Sequence, residues 1–337
     1  MMCCSLIVVL MTTAMFFLIH HNIQGCVISK YYKIINGKKL NVDAMKQLSD
    51  IETKQFCILK CQISADCEAV NYSPLSKTCE LIHRQNSNGL IISVDGWLYS
   101  ECYPKKQDKM KRDCSDHLSS SCNVSNGVYT IQPNPRKPAF EVFCDMTDGG
   151  WTVLQKRFDG SVSFYDKLWK AYKSGFGNLN GEHWLGNDNI HSLTASGSYG
   201  IKFDLQDHHG SWYDAYYEPF YIHSENENYR LSIGPYISGT ANDSINNIKK
   251  SMGLNGQNFT TNDRDNDLWS NGNCALERNS GGWFYNKQCS YVRLNAKYSF
   301  NGAYNNTVMG IRWQSITHKT QPFKSLKAST MKVRRIN

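Results

Sequence analysis

The chain lacks the short motifs that carry most enzyme chemistry. It has no GxSxG nucleophile elbow, no HExxH, no P-loop and no Gly-rich dinucleotide fingerprint. No CxxC pair occurs either, which removes zinc knuckles and thioredoxin-like redox chemistry. Collagen repeats and apolar heptads are missing, so no segment offers itself as a trimerising stalk. Beyond the amino terminus no run is apolar enough to cross a bilayer, which takes about 20 residues. These absences predict a binding protein without a membrane span, not an enzyme.

The amino terminus is the first positive feature. "LIVVLMTTAMFFLI", Leu6 to Ile19, is apolar and uncharged but short for a span, and "HHNIQGC" follows with Gly25 as a small cleavage residue. This predicts a secretory signal over residues 1–25, although the usual positive n-region is absent. Cysteine usage agrees: of 13 cysteines, only Cys3 and Cys4 would leave with the signal, and in a secreted chain the rest are disulfide partners. Sequons at Asn71, Asn123, Asn242, Asn258 and Asn305 also suit an extracellular surface. The net charge of +8, from 37 basic and 29 acidic residues, is partly local to "KKQDKMKR" and "KASTMKVRR". In a disulfide-bonded secreted chain these read as solvated faces, and no nucleic-acid partner is expected.

The cysteines fall into groups: 26, 57, 61, 67, 79 and 102, then 114, 122 and 144, then 274 and 289. A charged, proline-opened linker separates the first group from the others. The division is a small domain over 26–102, a basic linker over 103–111 and a large domain over 112–336. In the small domain, Ser49 to Glu52 forms a capping-box pattern before "TKQFCILKCQ", and a helix there sets Cys57 and Cys61 on one face. Short strands follow in "EAVNYS", "KTCELI" and "DGWLYSEC". Six cysteines allow many pairings, and spacing does not choose among them. In the large domain, Gly149-Gly150 turns into a strand "WTVLQKRF", and Asn187 is an N-cap for "DNIHSLT" with Ile190 and Leu193 facing inward. The tryptophans are read first as packing residues.

One loop carries chemistry. "NDRDNDLWSNGNC", Asn262 to Cys274, sets Asp263, Asp265 and Asp267 on alternate positions. Such carboxylates repel unless a cation lies between them, and oxygen ligands at this spacing suit a hard cation of calcium's size. The loop is not an EF-hand, because Leu268 and Cys274 stand where Gly and Glu would be required.

Two families are resembled. "FCILKCQISADCEAVNYSPLSKTCEL", flanked by Cys26 and Cys102, resembles the PAN/apple module. That resemblance implies Cys26–Cys102, Cys57–Cys79 and Cys61–Cys67 bridges, with one helix on an antiparallel sheet and a contact-making, non-catalytic role. From Arg112 to Arg335, "GVYTI", "FEVFCDMTDGGWTVLQKRFDGSVSF", "GEHWLGNDNIHSLT", "GGWFY" and "SLKASTMKVR" resemble fibrinogen C-terminal domains, as in ficolins, tachylectins and angiopoietin-like chains. The implied fold class is α+β: a PAN/apple module, then a domain with a central antiparallel sheet and a loop-rich calcium-binding subdomain. The resemblance gives calcium the carboxylates of Asp265 and Asp267 and the carbonyl of Trp269. Asn271 or Gly272 supplies the last carbonyl, the loop being one residue longer than usual.

The same resemblance implies Cys114–Cys144 and Cys274–Cys289 bridges. Cys122, in the polar setting "SSSCNVSNG", is left over as a candidate interchain link for a homo-oligomer. A ligand pocket is implied beside the loop, built from Trp283, Tyr285, Gln288, Cys289, Ser290, Tyr298 and Tyr304, with a cis Gln288–Cys289 peptide. Departures matter here. Ser290 replaces the histidine of acetyl-binding relatives, "VRLNA" replaces "SNLNG", and Arg278 sits where a fibrin-type pocket needs an acid, which argues against fibrin-like polymerisation. The leading expectation is a secreted, calcium-dependent lectin for acetylated or other glycans, of the innate-immune type. The alternative is a matrix, adhesion or receptor ligand that binds extracellular protein.

Overall fold

The computed structural model describes residues 7–10, 16–23, 26–62, 64, 67–83, 90–103, 110–120, 124–147, 149–246, 253–285, 289–302, 310–320 and 325–336. Linker positions 104–109 lie outside them. The chain divides into two compact units. The first runs to Lys109 with the pieces Asp116–Ser125 and Met146–Gly149; the second takes Met110–Ser115, Asn126–Asp145 and Gly150–Asn337. Among the described residues no helix is long and apolar enough to cross a membrane.

The main body of the first unit is an antiparallel sheet packed with the helix Lys54–Gln62. Its strands run in the order Ile7–Leu10, Phe16–Ile23, Cys26–Asn41, Leu90–Tyr103, Cys67–Ser73, Thr78–His83 and Lys46–Leu48. Within the segment read as a signal, Ile7–Leu10 pairs with Phe16–Ile23, and Phe16–Ile23 pairs with Cys26–Asn41. The helix starts later than the capping-box pattern implies. Thr53, not Ser49, provides the hydroxyl that accepts from the Phe56 N–H. Cys57 bonds to Cys79 and Cys61 to Cys67, and all four sulfurs sit in the core with Ile58, Val70, Tyr72 and Leu81. The side chains of Cys26 and Cys102 lie outside those described. Along the backbone Cys102 stands opposite Tyr32 and Cys26 opposite Ile23, so this register does not set the two against each other.

Asn71 corrects a sequence reading. It is fully buried, not an accessible acceptor. Its Oδ1 accepts from the Leu40 N–H at 2.8 Å, and its Nδ2 donates to the Leu40 carbonyl at 2.9 Å and to Glu80 at 2.9 Å. The amide thus acts as an extra peptide group between strands, which is why a polar side chain is tolerated there. Asn242 is exposed and Asn258 half-buried, while Asn123 and Asn305 lie outside the described residues.

The second unit is built on a larger antiparallel sheet. Its main path is Phe176–Gly177, His183–Trp184, Trp151–Arg157, Ala328–Arg335, Tyr199–Gln206, Trp212–Tyr217 and Tyr236–Ser238; Gly127–Ile131 and Phe140–Asp145 extend it beside Trp151–Arg157. The last strand of the chain is therefore central. Its Lys332, 3% exposed, lies 2.7 Å from Asp204 on the adjacent strand and 2.9 Å from Asp145, which ends the strand beyond Trp151–Arg157. Cys114 bonds to Cys144. The helix Asn187–Thr194 has Gly186 as its N-cap, not Asn187. Gly186 has φ 100°, and a Cβ there would meet the Ser174 backbone. Asn187 instead accepts from the Trp184 indole at 3.1 Å.

Arg157 and Glu182, at 1% and 0% exposure, face each other at 3.5 Å. Glu182 Oε1 accepts from the backbone N–H groups of Phe158, Asp159 and Gly160. Arg157 Nη1 donates to the carbonyls of Leu294 and Ala296. We expect Glu182→Ala to cost about 3–5 kcal/mol by stranding a buried charge, and Glu182→Leu with Arg157→Met to recover part of it. Denaturant midpoints check this, and a double variant no better than the single one refutes it. Glycopeptide mapping should find sugar on Asn242 and none on Asn71 in the folded protein.

Candidate functional site

The acidic loop is anchored at both ends before any cation is considered. Phe259–Thr260 pairs with Gly282–Trp283, and Thr261 and Arg264 bond reciprocally across a tight turn. Asn266 donates its amide to the Phe259 carbonyl at 2.8 Å, and its N–H goes to Thr260. Downstream, Asn273 donates to the Thr261 carbonyl and caps the helix Cys274–Arg278 by accepting from Leu276. The Cys274–Cys289 disulfide closes the loop's far end. Gly272 lies under the Trp269 ring, where a Cβ would come within 2.8 Å of ring carbons.

The three aspartates have different roles. Asp263 accepts from the Trp169 N–H at 2.8 Å and from the Thr261 hydroxyl at 2.7 Å. It serves the start of the helix Trp169–Ser174, a partner too distant in sequence to be read from spacing. Asp267 accepts from the N–H of Trp269 at 2.7 Å and of Cys274 at 2.8 Å, and its own N–H donates to Asp265 at 3.2 Å. Burial, and then the neighbouring Asp265 carboxylate, hold Asp267 above the usual carboxylate range against those two donors. The nearby cation, Arg264, is turned elsewhere: it lies 3.9 Å from the Trp169 ring centre and donates to Asn228.

Among the described residues no three His, Cys, Asp or Glu side chains gather to hold a metal. A cation here would need backbone carbonyls besides Asp265 and Asp267, which calcium accepts. The Trp269 carbonyl takes only a long 3.3 Å bond from Gly272, while Asn271 is exposed and Gly272 half-buried. Two mutually repelling carboxylates with such a carbonyl between the loop's anchors fit a hard, oxygen-preferring cation.

The expected ligand pocket is less coherent. Trp283 donates its indole N–H to the Tyr229 carbonyl and packs on Phe259, so it is a wall of the aromatic core. Tyr285, Cys289 and Ser290 are buried, at 1%, 0% and 2% exposure. Ser290 closes a local turn with Val292, and Cys289 has φ 68°. Tyr298 joins another neighbourhood: its hydroxyl donates to the carbonyls of Phe158 and Lys327, and its ring lies beside Phe300. Gln288, the Gln288–Cys289 peptide, Tyr304 and Cys122 lie outside the described residues. What sequence reasoning missed are two exposed apolar side chains: Leu268 and Leu276, before and after Cys274 in the chain, are 66% and 62% exposed.

An antiparallel sheet carrying a loop-rich subdomain, with an acidic loop locked to a disulfide, defines a fibrinogen-type globular domain. The family described as the C-terminal globular domain of fibrinogen beta and gamma chains matches residues 110–336, and the chain belongs to that family. A PAN domain matches residues 26–101. Fibroleukin of Bos taurus is 42% identical over 238 residues, which is 68% of this chain and 52% of that protein. Angiopoietin-4 of Bos taurus is 40% identical over 237 residues, 67% of this chain and 43% of that protein. The chain thus spans about half the length of the curated relatives it matches.

Among solved structures, the fibrinogen-like globe domain of human ANGPTL2 gives a TM-score of 0.60 at 36% identity, covering 67% of this chain and 99% of that one. Lamprey fibrin D-dimer, complexed with the peptide Gly-His-Arg-Pro-amide, gives 0.61 at 33% identity, covering 69% and 77%. These relatives are extracellular and non-enzymatic, and the chain is a non-enzymatic member of their family.

Asp263→Ala should lower stability by about 1–3 kcal/mol, because it leaves the Trp169 N–H without its acceptor. Differential scanning calorimetry measures this, and an unchanged melting temperature would show that the contact is dispensable.

Proposed function

We propose that the chain is a secreted recognition protein that binds an extracellular protein or peptide, with a calcium ion holding the acidic loop. The observation that carries this reading is the exposed pair Leu268 and Leu276, before and after Cys274 in the chain. Exposed large apolar side chains suit a protein surface better than a sugar hydroxyl array. The peptide seated on the lamprey fibrin relative supports the same chemistry. Of the aromatic side chains expected to cradle an acetyl or sugar group, Tyr285 is buried, while Trp283 and Tyr298 are half-buried and engaged with the protein's own carbonyls, which gives the lectin expectation less support without being needed for the protein one. Arg278, beside Glu277, puts positive charge on the helix that carries Leu276 and disfavours a cationic peptide end. A receptor or matrix ligand is therefore the better reading than a glycan.

Calcium would be held by Asp265 and Asp267 with the carbonyls of Trp269 and of Asn271 or Gly272. Bound there, the ion neutralises the carboxylate pair and fixes the chain between Asn266 and Cys274. The residues themselves position Leu276: Asp267 bonds to the Cys274 N–H, and so couples the loop to the helix that carries it.

Two measurements test these points. Calcium at a hundredfold excess over Kd should stabilise the second unit by about 2.7 kcal/mol. Asp265→Ala with Asp267→Ala should abolish that gain, and an unchanged melting shift rejects the site. For the ligand, binding to cells should survive enzymatic removal of surface glycans, fall with Leu268→Ser and Leu276→Ser, and leave a glycan array silent. Chelator-sensitive array binding would instead restore the lectin reading.

A further inference from the structure

Away from the acidic loop lies a cluster of positive charge. Val292–Arg293 and Arg312–Trp313 form a short antiparallel ladder whose register sets Arg293 directly opposite Arg312. Like charges facing each other across a ladder repel. Arg293 is also 3% exposed, and its Nε and Nη2 make no hydrogen bond. These two N–H groups share one edge of the guanidinium, the fork that matches both oxygens of a carboxylate.

The surroundings repeat the pattern. Tyr285, 1% exposed, has a hydroxyl without a well-aligned hydrogen bond, and both arginines act on it electrostatically. Its ring lies 5.9 Å from that of Tyr291, which in turn faces the Arg312 guanidinium at 5.7 Å. Burial, then Arg312 and Arg278, push the Arg293 guanidinium down to about 9, and burial lowers Arg312 as well. Exposure is graded: the Arg278 side chain is 26% exposed, Arg312 and Tyr291 are half-buried, and Arg293 is enclosed.

The sequence explains why this stretch supplies no carboxylate of its own. From Arg278 to the last residue, Asn337, it contains no Asp or Glu. The adjacent acid, Glu277, is 55% exposed and 3.9 Å from Arg278. Elsewhere this protein compensates its buried charges: Arg157 has Glu182, and Lys332 has two aspartates. A buried guanidinium with an unused fork is among the costlier arrangements a fold retains.

We propose that Arg293, Arg312 and Tyr285 form a recessed site for a carboxylate, with Arg278 at its entrance. The flat two-oxygen group would take the Nε and Nη2 fork, receive the Tyr285 hydroxyl, and place negative charge between the paired arginines. The site uses none of the calcium ligands or exposed leucines, so it stands independently of the function proposed above.

The test uses the full-length protein and sodium formate, a carboxylate with no methyl group to mimic an acetyl ligand. Formate should raise the melting temperature with saturation, beyond the effect of sodium chloride at equal ionic strength. Arg293→Asn should abolish the response, and Arg293→Lys, which keeps charge without the fork, should weaken apparent affinity at least tenfold. Without formate, Arg293→Asn should melt no lower than the parent, since it removes an unpaired buried charge. If that variant does not fold, Arg312→Gln provides the same comparison and should weaken the response. Competition by N-acetylglutamate amide, but not by its glutamine counterpart, would assign the site to a carboxylate on a polypeptide. Formate binding without such competition would assign it to a small free carboxylate. A parent response no larger than with chloride means an adventitious ion only, and a formate response unchanged in both variants places binding elsewhere; either result overturns the site.

Discussion

The loop-rich half of the second unit depends on one buried ion pair, Arg157 with Glu182. Each ion taken out of water carries a desolvation penalty of several kcal/mol, and their attraction alone does not reliably offset it. What keeps the pair is the hydrogen bonding around it. Glu182 gathers the backbone N–H groups that follow the strand Trp151–Arg157, and so fixes where the chain turns at Phe158 to Gly160. Arg157 reaches the carbonyls of Leu294 and Ala296, with Gln155 also donating to Leu294. Three stretches far apart in sequence meet at one charge pair. The segment after Cys289, which carries Arg293, is positioned through those carbonyls.

The central strand shows the same economy with opposite polarity. Lys332 lies between Asp145 and Asp204, and those two carboxylates hold its ammonium charged despite burial. Its neighbour Arg334 stacks over Trp151 at 4.5 Å, and Arg335 reaches Asp113 at 3.3 Å. Each of these basic groups finds its partner on an earlier part of the chain: Trp151 and Asp204 on the adjacent strands, Asp145 one strand further, and Asp113 just before the helix Cys114–Ser120. The sheet topology makes that feasible for Lys332, because Asp204 is on the adjacent strand and Asp145 ends the strand that pairs with Trp151–Arg157.

Much of this was legible in the sequence, and the misses share a cause. The two-part division, the sheet-forming runs and the acidic loop follow from cysteine grouping, alternation and carboxylate spacing. Partners distant in sequence do not. Asp263 looks like a member of the aspartate series but is taken by the Trp169 N–H. Asn187 has the residue type of a cap, yet the Trp184 indole claims it and Gly186 occupies the cap. Asn71 satisfies the sequon pattern while its amide bridges strands. In each case a short polar side chain has a local use that the sequence suggests and a tertiary use that prevails, because an unpaired buried peptide group costs more than a lost cap or an unused sequon. Tyr285 illustrates a related limit: residue type does not reveal whether an aromatic faces the core or solvent, and this one is buried.

The acid-free stretch after Glu277 is the one sequence signal whose structural meaning extends past any single contact. A segment with only basic ionisable carboxylate-pairing groups must export its electrostatics, either to earlier strands or to something outside the chain. Where it enters the sheet, as at Lys332 and Arg335, aspartates from earlier parts of the chain answer it. The short ladder of Val292–Arg293 with Arg312–Trp313 has both strands drawn from the acid-free stretch itself. Neither strand can therefore supply a carboxylate to the other, and the pairing that buries Arg293 brings a second arginine in place of an acid. The charge there is a consequence of topology acting on composition: the same pairing rule that neutralises the central strand leaves this ladder positive.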